Sequence, residues 1–265
     1  MTPIAAKPLL DVAGIDVAFD GAHGTVHAVR DVSLQLQRGE VLAIVGESGS
    51  GKSSLARSIM GMVPARAGRL TLDGAGLAAS ARHRTLAQRR SISMVFQDSG
   101  AAFDPRFTVQ RILEEPLRHL AQALSPDAGG ADTTAARLLD DVGLSRTLLD
   151  RRPHELSGGQ RQRVGIARAL ATAPDLLICD EAVSALDVSV QAQILNLLSD
   201  LQARRQLSFL FITHDISVVE YFADRIAVMY QGQLLETGFA SDVLDAPQHA
   251  YTRRLLESVR LARAS

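Results

Sequence analysis

The segment Gly46-Glu-Ser-Gly-Ser-Gly-Lys-Ser53 constrains the fold of this 265-residue chain more than any other feature. It matches the pattern G-x-x-x-x-G-K-[ST], it follows the apolar run Val41–Val45, and apolar residues at helical spacing come after it. In such a loop, glycines let backbone N–H groups turn towards phosphate oxygens, and the N-terminus of the next helix adds partial positive charge. The order of strand, loop and helix predicts an α/β fold with a phosphate-binding loop.

Two further apolar runs, residues 176–179 and 209–213, support the same fold class. Their hydrophobicity is continuous rather than alternating, which is typical of strands that are covered on both faces. Between them, residues 190–205 carry apolar side chains at helical spacing and predict a crossover helix. This alternation of strands and helices predicts a largely parallel sheet covered by helices.

Three segments depart from the parallel pattern. Apolar residues alternate in 15–19 and 29–36, on either side of a loop at 20–24, and predict an antiparallel region before the core. Residues 226–230 and 233–236 flank Gln231-Gly232 and predict a hairpin. Helical patterns at 108–124 and 133–142 surround the Pro- and Gly-bearing stretch 126–132, and predict a helical lobe inserted in the core.

Composition excludes several classes of protein. Hydrophobic residues make up 46% and charged residues 22%, so the chain is not disordered as a whole. The formal net charge is -1, and we interpret the arginine clusters at 82–84, 89–90, 151–152, 204–205 and 253–254 as solvated helix faces, not a nucleic-acid surface. We interpret the one cysteine, Cys179, as a small buried hydrophobe. The presence of a single cysteine is consistent with a reducing compartment.

No apolar run approaches the roughly 20 residues of a membrane-spanning helix, so we expect any membrane role to involve a partner. The first ten residues lack the apolar stretch of a secretory signal, and a cytoplasmic protein is expected.

Candidate site residues follow the predicted strands. Lys52 can neutralise β- and γ-phosphates, and Ser53 can ligate Mg²⁺. Asp180 and Glu181 come at the carboxyl end of an apolar run, where ligands of open α/β sheets bind. There Asp180 can hold the Mg²⁺ shell and Glu181 can orient or deprotonate a water. A phosphate loop alone leaves GTPases, small-molecule kinases, recombination motors and transporters open.

A second candidate anion site lies at Leu156-Ser-Gly-Gly-Gln160, because Ser157 is a favoured helix N-cap and the glycine pair exposes N–H groups. This segment resembles the signature motif of ATP-binding cassette (ABC) ATPases. Gln97 after 93–96, the pair Asp180-Glu181, the segment 184–187 and His214 complete the ordered motif set of that family, and the match runs from about Leu9 to Gly238. A GTPase would carry the guanine-recognition motif Asn-Lys-x-Asp, which this sequence lacks.

The resemblance implies a P-loop NTPase (RecA-like) parallel-sheet core with an N-terminal antiparallel β region and an inserted helical subdomain. It places the ABC ATPase domain at 8–245, the helical subdomain at about 98–165 and a short C-terminal extension at 246–265. It also implies ATP and Mg²⁺ as ligands, and a head-to-tail dimer in which the signature of one ATPase closes over the γ-phosphate bound by the other.

Residue roles carry over from the family by position. Glu181, His214 and Gln97 are the implied catalytic residues, and Ser53, Gln97 and Asp180 the implied metal ligands. Gly21 lies near the position that stacks on adenine in relatives, with Phe19 and His23 on either side, and Phe19 could equally be a core residue. The implied nucleotide-binding residues are Gly46, Glu47, Ser48, Gly49, Ser50, Gly51, Lys52, Ser53, Ser54, Ser157, Gly158, Gly159, Gln160 and Asp187.

Residues 180–198 and 247–252 are similar to the ATPases of oligopeptide, dipeptide and nickel importers, with Ala250 in place of a family proline. The resemblance implies a peptide importer ATPase with a second, homologous or identical ATPase and two membrane permeases. It also implies an extracytoplasmic solute-binding protein as an indirect partner. Nucleic acid is not an expected partner. The implied location is the cytoplasmic face of the inner membrane, reached through the permeases. Nickel or metal-chelate import, and a non-transport ABC ATPase of an assembly complex, stay open as alternatives.

Overall fold

The structure, a computed structural model, describes residues 7–21, 24–97, 100, 102–121, 131–184 and 186–264. The chain divides into two compact units, one comprising the residues up to Arg84 and from Gln206 onwards, the other Thr85–Arg205. The strands are β1 (Leu10–Gly21), β2 (Gly24–Leu36), β3 (Val41–Val45), β4 (Ala67–Leu72), β5 (Ala75–Gly76), β6 (Ile92–Val95), β7 (Leu176–Asp180), β8 (Ser208–Ile212), β9 (Arg225–Tyr230) and β10 (Gln233–Phe239). The helices are α1 (Lys52–Met60), α2 (Leu86–Ser91), α3 (Val109–Ala121), α4 (Ala131–Asp141), α5 (Gly158–Leu170), α6 (Val188–Arg205), α7 (Ile216–Phe222), α8 (Ala240–Asp245) and α9 (Ala250–Ala264).

An antiparallel sheet with the strand order β2-β1-β4-β5 forms one part of the first unit. Its longest pairing joins β1 to β2 and runs from Leu10 opposite Leu36 to Gly21 opposite Gly24. Alternate apolar residues of β1 are buried on either side of an irregularity in the register, Leu10 and Val12 before it and Ile15 and Val17 after it, as expected for a sheet with one covered face. The predicted antiparallel region is confirmed, and its strands extend further than the apolar alternation indicated.

The first unit also contains the strands β10, β9, β3 and β8 in that order. Strand β3 is parallel to β8 and β9, and β10 pairs antiparallel with β9. All residues of β3 and β8 are buried, which confirms the prediction from their continuous hydrophobicity. The predicted hairpin is present, and its two turn residues, Gln231 and Gly232, both have positive φ, 47° and 84°, as a type I′ turn requires.

The second unit contains the parallel pair β6 and β7 together with helices α2 to α6. Ile92 lies opposite Leu176 and Val95 opposite Cys179, so both strands end at the same edge. The two predicted helices are observed as α3 and α4, although residues 122–124 of the first prediction and 126–130 of the predicted stretch between them lie outside the described residues. The predicted subdomain, 98–165, falls within this unit, and its exact bounds stay a prediction.

Arg84 corrects one prediction from the arginine clusters. The other arginines of those clusters are exposed, as predicted, but Arg84 is only 4% exposed. Its Nη1 donates to the carbonyl oxygen of Ile59 at 2.7 Å and its Nε to that of Ala78 at 2.9 Å. Because Ile59 lies in the last turn of α1, one of these two carbonyl acceptors is at the negative end of that helix. Burial lowers the pKa of Arg84.

Cys179 is fully buried in β7, and burial raises the pKa of its thiol. The interpretation of this residue as a small core hydrophobe is therefore confirmed. In the part of the chain that the structure describes, no helix combines the length and hydrophobicity needed to cross a membrane.

Candidate functional site

The loop between β3 and α1 has a backbone that only glycine accommodates at two positions. Gly46 and Gly51 have φ values of 150° and 103°. A Cβ atom added to Gly46 would lie 2.1 Å from the carbonyl oxygen of Met229, and one added to Gly51 would lie 2.1 Å from that of Ala28. Gly49 and Gly51, on either side of Ser50, have left-handed φ values of 79° and 103°, and such alternation is typical of backbone nests that bind anions. The loop therefore fits a phosphate group.

Lys52, the first residue of α1, lies over this loop and is 4% exposed. Its Nζ donates to the carbonyl oxygens of Gly46 and Glu47, each at 2.8 Å, and to Ser50 Oγ at 3.3 Å. The contacts hold a positive charge at the N-terminal end of the helix, where an anion is already favoured. This arrangement suits the charge-assisted hydrogen bonds that phosphate oxygens make with an ammonium group.

His214 follows β8 at the same sheet edge as the phosphate loop. Ile212, two residues earlier, pairs in parallel with Ile44, which is two residues before Gly46. The backbone N–H of Thr213 donates to the carbonyl oxygen of Ile44 at 3.2 Å, and the His214 side chain is exposed. The first unit thus brings this predicted residue and the loop to a common edge.

The second unit brings Gln97 and Glu181 into direct contact. Each follows one strand of the parallel pair β6 and β7, and Gln97 Nε2 donates to Glu181 Oε2 at 3.0 Å. Asp180 ends β7 and is buried, whereas Glu181 has a φ of 49° and is partly exposed. A left-handed turn at a non-glycine residue is rare and is found at functional sites. It separates the two neighbouring carboxylates.

Ser184 is a residue of this site to which we assigned no role from the sequence. Its hydroxyl donates to the Glu181 carbonyl oxygen at 3.0 Å and lies 3.4 Å from Glu181 Oε2. These contacts close the turn that Glu181 begins. The available signal was its place in the segment 184–187, three residues after a candidate catalytic carboxylate.

Asp187 precedes helix α6 and caps it. Its Oδ1 accepts hydrogen bonds from Ser189 Oγ at 2.7 Å and from the Val190 backbone N–H at 2.9 Å. Hydrogen bonds from the Ser189 hydroxyl, and to a lesser extent from the Val190 N–H, stabilise the charged carboxylate. They hold the pKa of Asp187 below its usual range. The structure gives this residue a local role in starting α6. Its implied place at a dimer junction stays a prediction.

Ser157 begins helix α5 as predicted. Its Oγ accepts a hydrogen bond from the Gln160 backbone N–H at 3.2 Å, and Gln160 Oε1 accepts one from the Ser157 N–H at 2.9 Å. This reciprocal pair is a capping box. Ser157 and Gly158 are exposed, whereas a Cβ atom added to Gly159 would lie 2.8 Å from Val190 Cγ1. The start of α5 is therefore an accessible helix N-terminus.

Phe19 is 44% exposed, so the alternative interpretation of this residue as part of the core is wrong. Stacking of Phe19 on adenine stays a prediction, and His23, on the other side of the aligned position, lies outside the described residues.

The sequence and the fold both have known relatives. The ABC transporter family matches residues 29–184. A protein of Brucella ovis named "Putative peptide import ATP-binding protein" is 44% identical over 252 residues, which cover 95% of this chain and 78% of that protein. The glutathione import ATP-binding protein GsiA of Pectobacterium atrosepticum is 45% identical over 98% of this chain, which corresponds to 42% of its own length.

Solved structures agree with this assignment. Clostridium perfringens cbiO1, described as part of the ABC transporter complex cbiONQ, has a TM-score of 0.77 and 27% identity over 96% of this chain and 95% of its own. The ATP-binding cassette MJ0796, solved as a dimer in a post-hydrolysis state bound to ADP and Pi, has a TM-score of 0.76 and 27% identity over 87% of this chain and 98% of its own. This chain belongs to the ABC transporter family, and it is an ATP-binding ATPase of that family.

Proposed function

We propose that this chain is the ATP-hydrolysing subunit of a peptide importer, and that it acts through membrane permeases at the cytoplasmic face of the membrane. The observation that carries the proposal is the 44% identity, over 95% of the chain, to a relative named for peptide import. Glutathione, in the name of the second relative, is itself a tripeptide. Both names therefore indicate the same class of solute.

In this proposal the ATPase domain spans 8–245, with the helical subdomain at about 98–165, and residues 246–265 form a C-terminal extension. The phosphate loop, Gly46 to Ser54, binds the triphosphate, with Lys52 positioned against the β- and γ-phosphates. The geometry that supports this is the glycine-dependent backbone together with the hydrogen bonds of Lys52 Nζ to the two loop carbonyls.

Ser53, Gln97 and Asp180 are the residues that would hold Mg²⁺, together with phosphate oxygens. All three offer the oxygen donors that this ion prefers. Among the described residues there is no group of three or more His, Cys, Asp or Glu side chains that could hold a metal ion. Mg²⁺ neutralises charge that develops on the phosphates during hydrolysis.

Glu181 is the proposed general base for the attacking water. Its carboxylate is partly exposed, and Gln97 and Ser184 orient it from two sides. A base must be held within hydrogen-bond reach of its proton, which these contacts favour. His214, exposed at the edge where the phosphate loop begins, is the proposed contact to the γ-phosphate.

The residues Ser157 to Gln160 provide a second anion site, which we assign to the nucleotide of a partner ATPase. Support comes from the exposed, capped N-terminus of α5 and from the dimeric form of MJ0796. Because each nucleotide then needs both protomers, we expect the hydrolysis rate per molecule to fall when the protein concentration is lowered below the dissociation constant of the dimer. Phosphate release over a concentration series, compared with sedimentation at the same concentrations, measures this. Full rates in solutions that contain only monomers would exclude the shared site.

The import function is tested by purifying the tagged chain from gently solubilised membranes of its own organism. We expect two membrane permeases and an identical or homologous ATPase in stoichiometric amounts, and ATP hydrolysis by that complex should rise when a peptide-loaded extracytoplasmic binding protein is added. A complex made only of soluble scaffold proteins would contradict import and would point to the assembly class of ABC ATPases.

A further inference from the structure

The C-terminal extension carries the segment 247–252, for which the proposed function gives no role. The structure attaches this segment to the β9–β10 hairpin through Glu236. Its two carboxylate oxygens accept hydrogen bonds from the backbone N–H groups of Gln248 at 2.7 Å and His249 at 3.0 Å. His249 Nδ1 accepts one from the Tyr251 N–H at 3.1 Å. Helix α9 therefore begins at a defined place on the hairpin.

Tyr251, in the first turn of α9, reaches from this attachment to the phosphate loop. Its side chain is buried, with 4% exposure. The ring lies 4.3 Å, centroid to centroid, from the ring of Tyr230 at an angle of 35°. The hydroxyl oxygen accepts a hydrogen bond from the backbone N–H of Glu47 at 3.3 Å. Burial raises the pKa of Tyr251, so its hydroxyl is neutral at physiological pH.

The N–H of Glu47 and the carbonyl of Gly46 belong to the same planar peptide unit. On one side of this unit the carbonyl oxygen accepts from Lys52 Nζ at 2.8 Å. On the other side the N–H donates to Tyr251. A rotation of the peptide plane would disturb both hydrogen bonds together, so the Tyr251 hydroxyl and the Lys52 ammonium restrain the same backbone group.

We propose that Tyr251 is a positioning residue for nucleotide binding, through which the C-terminal extension holds the Gly46–Glu47 peptide and, with it, the ammonium group of Lys52. The inference rests on the proposed role of the phosphate loop and deepens it. It gives the extension a function within the same chain: the start of α9 preorganises the loop before nucleotide arrives. Preorganisation raises affinity because the loop is already ordered, so that binding does not incur the entropy cost of ordering it.

The test is the variant Tyr251→Phe, which keeps the ring and its stacking on Tyr230 and removes only the hydroxyl. We expect the dissociation constant for ADP, measured by titration calorimetry on the full chain, to rise roughly 2- to 10-fold, the range for loss of one neutral hydrogen bond. The matched control is Tyr221→Phe, because Tyr221 is 59% exposed on α7. Its dissociation constant should equal that of the unmodified protein.

Two readouts separate positioning from a general loss of structure. An irreversibly denatured fraction lowers the number of ADP molecules bound per chain and leaves the dissociation constant unchanged, whereas the proposed role raises the constant at full stoichiometry. Reversible unfolding also raises the apparent constant, so a thermal unfolding curve must show that Tyr251→Phe is fully folded at the temperature of the titration. An unchanged dissociation constant for Tyr251→Phe, with full stoichiometry, would overturn the proposal. Failure of the unmodified chain to bind ADP would instead contradict the assignment of the phosphate loop itself.

Discussion

Replacement of Glu181 by glutamine is expected to lower ATP turnover by roughly 10²- to 10⁴-fold while nucleotide affinity stays within a few-fold of the unmodified value. Glutamine has nearly the same shape, and its amide oxygen can still accept the hydrogen bond from Gln97 Nε2, which lies 3.0 Å from Glu181 Oε2. The change therefore removes the basicity of the side chain and keeps its position. Loss of proton acceptance is the physical reason for the expected effect.

Phosphate release at saturating ATP measures turnover, and titration calorimetry measures nucleotide affinity. The control is Glu257→Gln, the same chemical change at an exposed position of α9, which should leave both quantities unaltered. Turnover within twofold of the unmodified protein would remove Glu181 from the role of general base. A parallel loss of turnover and affinity would indicate damage to the site as a whole.

The second large effect is expected for Lys52→Ala. The variant loses a buried ammonium that donates to the carbonyls of Gly46 and Glu47. In the proposed complex the ammonium also donates to a phosphate oxygen. A hydrogen bond to a charged group contributes about 1.5–3 kcal/mol, so its loss should raise the dissociation constant for ATP roughly 10- to 150-fold. Hydrolysis should fall below detection, because the loop carbonyls and the phosphates would then face each other without the positive charge between them.

The sequence offers a matched control for this variant, since Lys7 and Lys52 are its two lysines. Lys7 is exposed and its Nζ donates to the carbonyl oxygen of Asp73 at 2.6 Å, so Lys7→Ala should bind and hydrolyse ATP normally. Thermal unfolding of both variants reports whether either change disturbs folding. Full hydrolysis by Lys52→Ala would contradict the assignment of the phosphate loop.

Features that depend on neighbouring residues were predictable. The strand, loop and helix around Gly46 to Ser53 appear as β3, the glycine loop and α1, and the hairpin turn at Gln231-Gly232 forms as predicted. The capping box at Ser157 involves a residue only three positions away. In each case the signal lies within a short continuous stretch of the chain, so that local propensity and hydrophobic pattern are sufficient.

Contacts between distant residues were not predictable in the same way. Gln97 meets Glu181 across 84 positions, and the order of motifs indicated only that both belong to the site. Arg84 resembled its exposed neighbours in the sequence, yet the fold buries it against the last turn of α1. No local pattern distinguishes a buried arginine from a solvated one, because burial depends on which elements pack around it.

Tyr251 illustrates the division most clearly. From its residues alone the chain could be recognised as an ATPase with a phosphate loop, since that loop is a continuous run of eight residues with a strand before it and a helix after it. The meeting of Tyr251 with Glu47, 204 positions away, depends on the parallel pairing of β3 with β9, the hairpin that β9 forms with β10, and the attachment of α9 to that hairpin. These are successive long-range pairings, and their combined geometry exists only in the folded chain.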